Sequence, residues 1–145
     1  MKEQIKLFFH VQQDEDGFPG VGSESVWAIP TEREGLFTVD NIPFFATDAN
    51  LGDVVSVTER DGVLWFREVV TKVPLSLVRI VFFNPEKHER VSLKLKSFGC
   101  QTEYWAERKL LSVSVPRKSL PEVQAFLESE ASLGSLDYEE PIIRE

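Results

Sequence analysis

Residues 5–11 place apolar side chains on both parities and are expected to form a buried strand that opens the fold. A loop rich in acids and glycine follows over residues 12–22. Strand character resumes over 24–29, where Trp27 is expected as a core anchor with Glu24 at its mouth. Residues 31–35 turn into a further strand over 36–39. The stretch 38–46 is then the organising corner. Asp40 and Asn41 can bond their own backbone, and Pro43 removes an N–H and stops a central strand. Phe44 and Phe45 point to opposite sides if extended and can plug separate cavities. The corner is expected to anchor the core through Pro43, Phe44 and Phe45, while Asp40 and Asn41 alternatively edge a pocket. Arg60-Asp61-Gly62 is a strong hairpin signal between strands over 53–59 and 63–70. Short strands with tight turns suggest a small SH3-like or related barrel.

The period changes in the second half. Residues 78–83 form an apolar strand broken only by Arg79. Asn84, Pro85 and Glu86 supply a cap, a first-turn proline and a first-turn acid, and predict a helix start. Val91, Leu95 and Phe98 recur at helical spacing until Gly99. Strands are expected over 100–105 and 109–115. In the second, Ser112 and Ser114 alternate with Leu111, Val113 and Val115, which predicts one solvated face. Ser119 to Glu122 matches a capping box, and Val123, Phe126, Leu127 and Ala131 predict a second amphipathic helix. A last strand, held at a sheet edge by Pro141, completes the order strand–helix–strand–strand–helix–strand. The fold class is therefore α+β. A small SH3-like β-barrel over residues 1–72 is expected to pack on a ferredoxin-like βαββαβ sandwich over 73–145.

The 145 residues carry a net charge of −8, which argues against nucleic acid or anionic lipid as the main ligand and toward a basic protein partner. No apolar run approaches the ~20 residues that span a bilayer, and the N-terminus does not resemble a secretory signal, so a cytoplasmic location is expected. A single cysteine rules out an internal disulfide framework and fits a reducing compartment. Cys100, after Gly99, reads as an inert, half-buried thiol. The two histidines lie far apart in sequence. His88 is expected on an exposed helix face, and His10 in the barrel or at the strand end beside Asp14. No metal or other cofactor is expected. Asp14 and Asp16 match the start of a calcium loop, yet the rest of that ligand set is missing.

Carboxylates are the remaining candidates for a site. Asp14, Asp16, Glu24 and Asp40, with Asn41, can edge a surface that binds a partner or ligand. No spacing marks a nucleophile with its base or a phosphate-cradling loop, so no residue is assigned a catalytic role. The expected function is a non-enzymatic acidic binding protein, most concretely an immunity-type protein that blocks a bacterial toxin. The alternative is a ligand-sensing or carboxylate-based enzymatic domain using the cleft between the two units.

Several motifs carry a resemblance. They are the run from Asp14 through Gly17 and Phe18 to Pro19, Glu24-Ser25-Val26-Trp27, Asn41-Ile42-Pro43-Phe44-Phe45, Gly52-Asp53-Val54-Val55, Arg79-Ile80 and Gly99-Cys100. Together they resemble a bacterial family known as a domain of unknown function, number four-two-six-five of that series. Members tend to carry a small polar run before the Arg-Ile strand, where this chain has Val73-Pro74-Leu75-Ser76-Leu77. The family has no assigned activity, so the resemblance implies a fold and not a reaction.

Overall fold

The computed structural model describes residues 3–145. The chain is α+β, with two sheets and two α-helices among the described residues, and divides into two compact units between Val73 and Pro74. Among the described residues no helix is long and apolar enough to cross a membrane.

The first unit holds β1 (Ile5–His10), β2 (Ser23–Pro30), β3 (Leu36–Val39), β4 (Val54–Arg60) and β5 (Val63–Thr71). Consecutive strands pair antiparallel. The order closes because β5 returns to β1 in parallel. That seam holds a single paired residue, Phe8 with Trp65, so it is far less laddered than the expected SH3-like barrel. Leu7, Phe9, Val26, Ala28, Val39 and Val55 point inward and form the core. The period of two explains why: these positions alternate with Lys6, Phe8 and His10 on β1 and with Ser25 and Trp27 on β2. Asp61 and Gly62 both have positive φ, 51° and 79°, and make the tight turn of the β4–β5 hairpin.

Trp27 corrects the sequence reading. Its side chain is 44% exposed and lies on the outer face, because strand parity gives the interior to Val26 and Ala28. In the corner itself, Ile42 and Pro43 are buried, while Phe44 and Phe45 are only half-buried.

The second unit contains β6 (Leu75–Phe82), α1 (His88–Ser97), β7 (Gln101–Trp105), β8 (Leu110–Pro116), α2 (Leu120–Ser132) and β9 (Leu136–Ile142). Its sheet is antiparallel in the order β7-β8-β6-β9. Val78, Ile80 and Phe82 of β6 and Leu111, Val113 and Val115 of β8 share one face. They pack with Val91 and Leu95 of α1 and Val123 and Leu127 of α2. Pro141 lies in β9, an edge strand, where a missing N–H costs no ladder bond on the open side.

Three local expectations fail here for identifiable reasons. Asn84 makes no side-chain cap. A 3₁₀ turn, Pro85–Lys87, precedes α1, and Lys87 N–H donates to the Asn84 carbonyl at 3.0 Å. Ser119 does not cap α2 either: its hydroxyl donates to the Phe98 carbonyl at 2.6 Å, joining the α2 entrance to the α1 exit. Ser112 and Ser114 are 0% and 2% exposed, so the serine face of β8 is not solvated. Alternation separates two faces chemically without saying which is wet, and a serine is small enough to be buried.

Candidate functional site

The acids and Asn41 singled out by sequence fall into two groups: Glu24, Asp40 and Asn41 tie β2 to the corner at 40–46, while Asp14 and Asp16 lie in the β1–β2 loop. Asp14 Oδ1 accepts from the N–H groups of Asp16 and Phe18 at 2.9 and 2.8 Å and so braces the β1–β2 loop. Asp16 is exposed on that loop. Asp40 accepts from the Gln4 side-chain amide, and its own N–H donates to the Trp27 carbonyl at 2.8 Å. Asn41 Oδ1 accepts from the Trp27 N–H at 2.6 Å. Among the described residues no three histidine, cysteine or carboxylate side chains gather as metal ligands would.

Glu24 has the most specific role. Its carboxylate accepts from three consecutive backbone N–H groups: Phe44 at 2.6 Å, Phe45 at 3.0 Å and Ala46 at 2.8 Å. Pro43 sets up the geometry, since its fixed φ turns the chain so that the next amides point one way. Successive amides aimed at one anion form a nest, here filled by the chain's own carboxylate. Asp53, fully buried, does similar work on the same loop. Its two oxygens accept from Asn50 N–H at 2.9 Å and Val73 N–H at 3.1 Å.

The outer face of the first sheet gathers aromatic and cationic side chains. Lys6 pairs across the ladder with Trp27, and its Nζ stands 5.7 Å from the indole centroid. Phe8 meets Trp65 at 5.7 Å, tilted by 47°. His10 lies flat on Trp65, at 4.1 Å and 9°. Arg60 reaches over the same indole at 5.0 Å and donates to His10 Nε2 at 3.1 Å. Since a guanidinium only donates, Nε2 is the accepting atom of this contact. Sequence reasoning missed this face. The signal was present: Lys6, Phe8 and His10 alternate with Leu7 and Phe9, and Trp65 sits between Leu64 and Phe66.

Next to this face lies a cleft of about 350 Å³ between the end of β1 and the loop after Pro43. His10, Val11 and Gln12 form one wall, and Phe45, Ala46, Thr47 and Asp48 the other. The first wall is fixed by the His10 stack and the second by Glu24, so the cleft is preformed.

In the second unit His88 is half-buried, unlike the exposed helix-face residue expected. It stacks on Tyr104 at 3.8 Å and 4°, and its Nδ1–H donates to the Pro85 carbonyl at 3.2 Å. Cys100 is buried, and burial pushes its thiol up to about 11, which keeps it protonated and unreactive near neutral pH. Arg79 is 4% exposed, with Nη1 3.7 Å from Glu139.

A crystal structure of a hypothetical protein from Neisseria gonorrhoeae is similar in fold, with a TM-score of 0.82 at 22% identity. The match covers 100% of this chain and 97% of that one. No curated protein matches the sequence. Residues 24–138 match the model described as Domain of unknown function (DUF4265), and the chain belongs to that family.

Proposed function

We propose that this chain is a non-enzymatic binding protein that captures a protein partner on the outer face of its first sheet. The carrying observation is the exposed Trp27, set in one surface with Lys6, Phe8, Trp65 and Arg60. Tryptophan and arginine are the residue types that concentrate binding energy at protein interfaces. A tryptophan left on the outside of a well-formed strand does not serve the core. Both histidines support a binding reading over a catalytic one, since each is laid flat on an aromatic ring.

The net charge of −8 favours a partner that is basic overall, through long-range attraction, while Lys6 and Arg60 on the face itself call for acidic groups opposite them on that partner. An immunity-type role, in which the partner is a toxin whose working surface is covered, is the concrete form of this reading. The same reading takes the first unit as a variant of the SH3-like barrel and the second as a ferredoxin-like sandwich. The closed strand order supports the former, and the order β7-β8-β6-β9 with two helices on one face supports the latter.

The test is a side-by-side pull-down with the tagged full chain and its Trp27→Ala variant, at low and at high salt. The parent is expected to retain a basic partner at low salt and release it at high salt, with the variant retaining little. Equal capture by parent and variant would place the docking surface elsewhere.

A further inference from the structure

The cleft beside His10 has a chemistry of its own, distinct from the convex aromatic face. Among the described lining residues Asp48 carries the fixed charge, and it is exposed. Gln12 and Thr47 add polar groups, the half-buried Phe45 adds apolar character, and Val11 and Ala46 are buried in the walls. We propose that this cleft is a receptor for a cationic group, an alkylammonium or guanidinium, carried on a short apolar stem.

Size, rigidity and charge each support that assignment. The volume of about 350 Å³ lies at the small end of ligand pockets, which suits one compact group. Both walls are held before anything binds. Glu24 fixes the Phe45 and Ala46 amides, and His10 is pinned between the Trp65 stack and the Arg60 hydrogen bond. A preformed site loses less ordering entropy on binding. Asp48 attracts a cation and repels an anion, while Arg60, the cation bonded to the His10 wall, is engaged over the Trp65 ring. The half-buried Phe45 gains nothing from a bare, fully hydrated ion, hence the stem. Such a group has two sources, a free small amine or a lysine or arginine side chain of a polypeptide.

NMR titration of the ¹⁵N-labelled full chain separates these. The probes are phenethylammonium chloride, its anionic counterpart sodium phenylacetate, and the capped tripeptide acetyl-Gly-Arg-Gly-amide. Shifts are expected at residues 10–12 and 45–48 with either cation, and not with phenylacetate. Tighter binding of the tripeptide assigns the cleft to a polypeptide side chain, and tighter binding of the amine assigns it to a small molecule. Asp48→Asn, an exposed loop substitution outside the Glu24 and His10 contacts, is expected to weaken binding about tenfold. Phenylacetate shifting the same residues equally, cleft amides that ignore both cations, or undiminished binding by Asp48→Asn would each overturn the assignment. Trp27→Ala is expected to leave this titration unchanged, so a failure here is separable from a failure of the docking face.

Discussion

Each unit contains a carboxylate on which neighbouring structure depends, and the two are satisfied in opposite ways. Glu24 in the first unit is held by three backbone amides, that is, by dipoles. Glu130 in the second is 5% exposed and held by a cation, with Arg90 Nη1 at 2.7 Å and the Ser135 hydroxyl at 3.5 Å. Glu24 shapes an irregular loop, while Glu130 links α2 to α1 where both helices already pack on the sheet. The difference follows from architecture. A helix pair brings long side chains alongside one another, so an arginine can reach a glutamate. A wound sheet with a long loop between β3 and β4 has many unpaired amides, and a carboxylate answers several at once.

The largest effect expected of any truncation tests the claim that the second unit rests on apolar packing. Phe82 is 1% exposed, at the centre of the helix–sheet core. Phe82→Ala is expected to cost about 4 kcal/mol, transfer and cavity together, read from urea denaturation. A loss near 1 kcal/mol would mean the core collapses around the gap. In the first unit the matching experiment is Glu24→Ala, which leaves three amides to water or to nothing. It is expected to cost about 3 kcal/mol, and Glu24→Gln about 1 kcal/mol because an amide oxygen still accepts. If Glu24→Ala cost no more than an ordinary surface change, the loop would be held by its buried Ile42 and Pro43 alone, and the comparison would fail.

Acid sharpens the contrast. The hydrogen bond from Arg90 holds the Glu130 carboxyl below the usual carboxylate range, against the opposing effect of burial. A carboxylate depressed in the folded state adds stability that is fully present above its unfolded pKa of about 4.3. That stability is lost as pH falls through the lower, folded value. Glu130→Gln is therefore expected to be less stable than the parent at neutral pH, with the gap narrowing below about pH 4. Paired melts across that range check this. Because the Arg90 side chain is 54% exposed, solvent screens the pair and the neutral-pH gap is expected to be modest, about 1 kcal/mol. A gap of constant size through the acid range would show that packing, not ionisation, accounts for the loss.

How much of this was legible in sequence depends on the range of the signal. Asp61-Gly62 could be read because positive φ at both turn positions is a local demand. Val91 with Leu95, and Val123 with Leu127, could be read because helical spacing displays the buried face. The caps at Asn84 and Ser119 could not. Each residue fits its motif locally, yet 3₁₀ turns occupy both entrances, and the Ser119 hydroxyl found a carbonyl 21 residues away. For the site, the corner at Asn41 to Phe45 was visible as unusual, but Glu24 as its holder was not, being some 20 positions earlier. His10 and Asp48 lie far apart in the chain, and only the folded loop brings them to one cleft.

Trp27 gives an equally small expected effect and the most informative one. A buried tryptophan in a core costs ~3–5 kcal/mol when cut to alanine. On the outer face the loss is limited to part of its apolar contact with β1 and a weak, hydrated Lys6–indole attraction, together about 1 kcal/mol. Trp27→Ala should therefore melt almost with the parent, while Ala28→Trp, directed into the fully buried core of the same strand, should not fold stably. The pair of variants tests strand parity, since one empties an outer position and the other fills the inner position beside it. A loss above about 2 kcal/mol at Trp27 would make it structural after all and remove the reason for reading that face as a docking surface. Near-neutral stability together with loss of partner capture leaves recognition as the role for which this side chain is exposed.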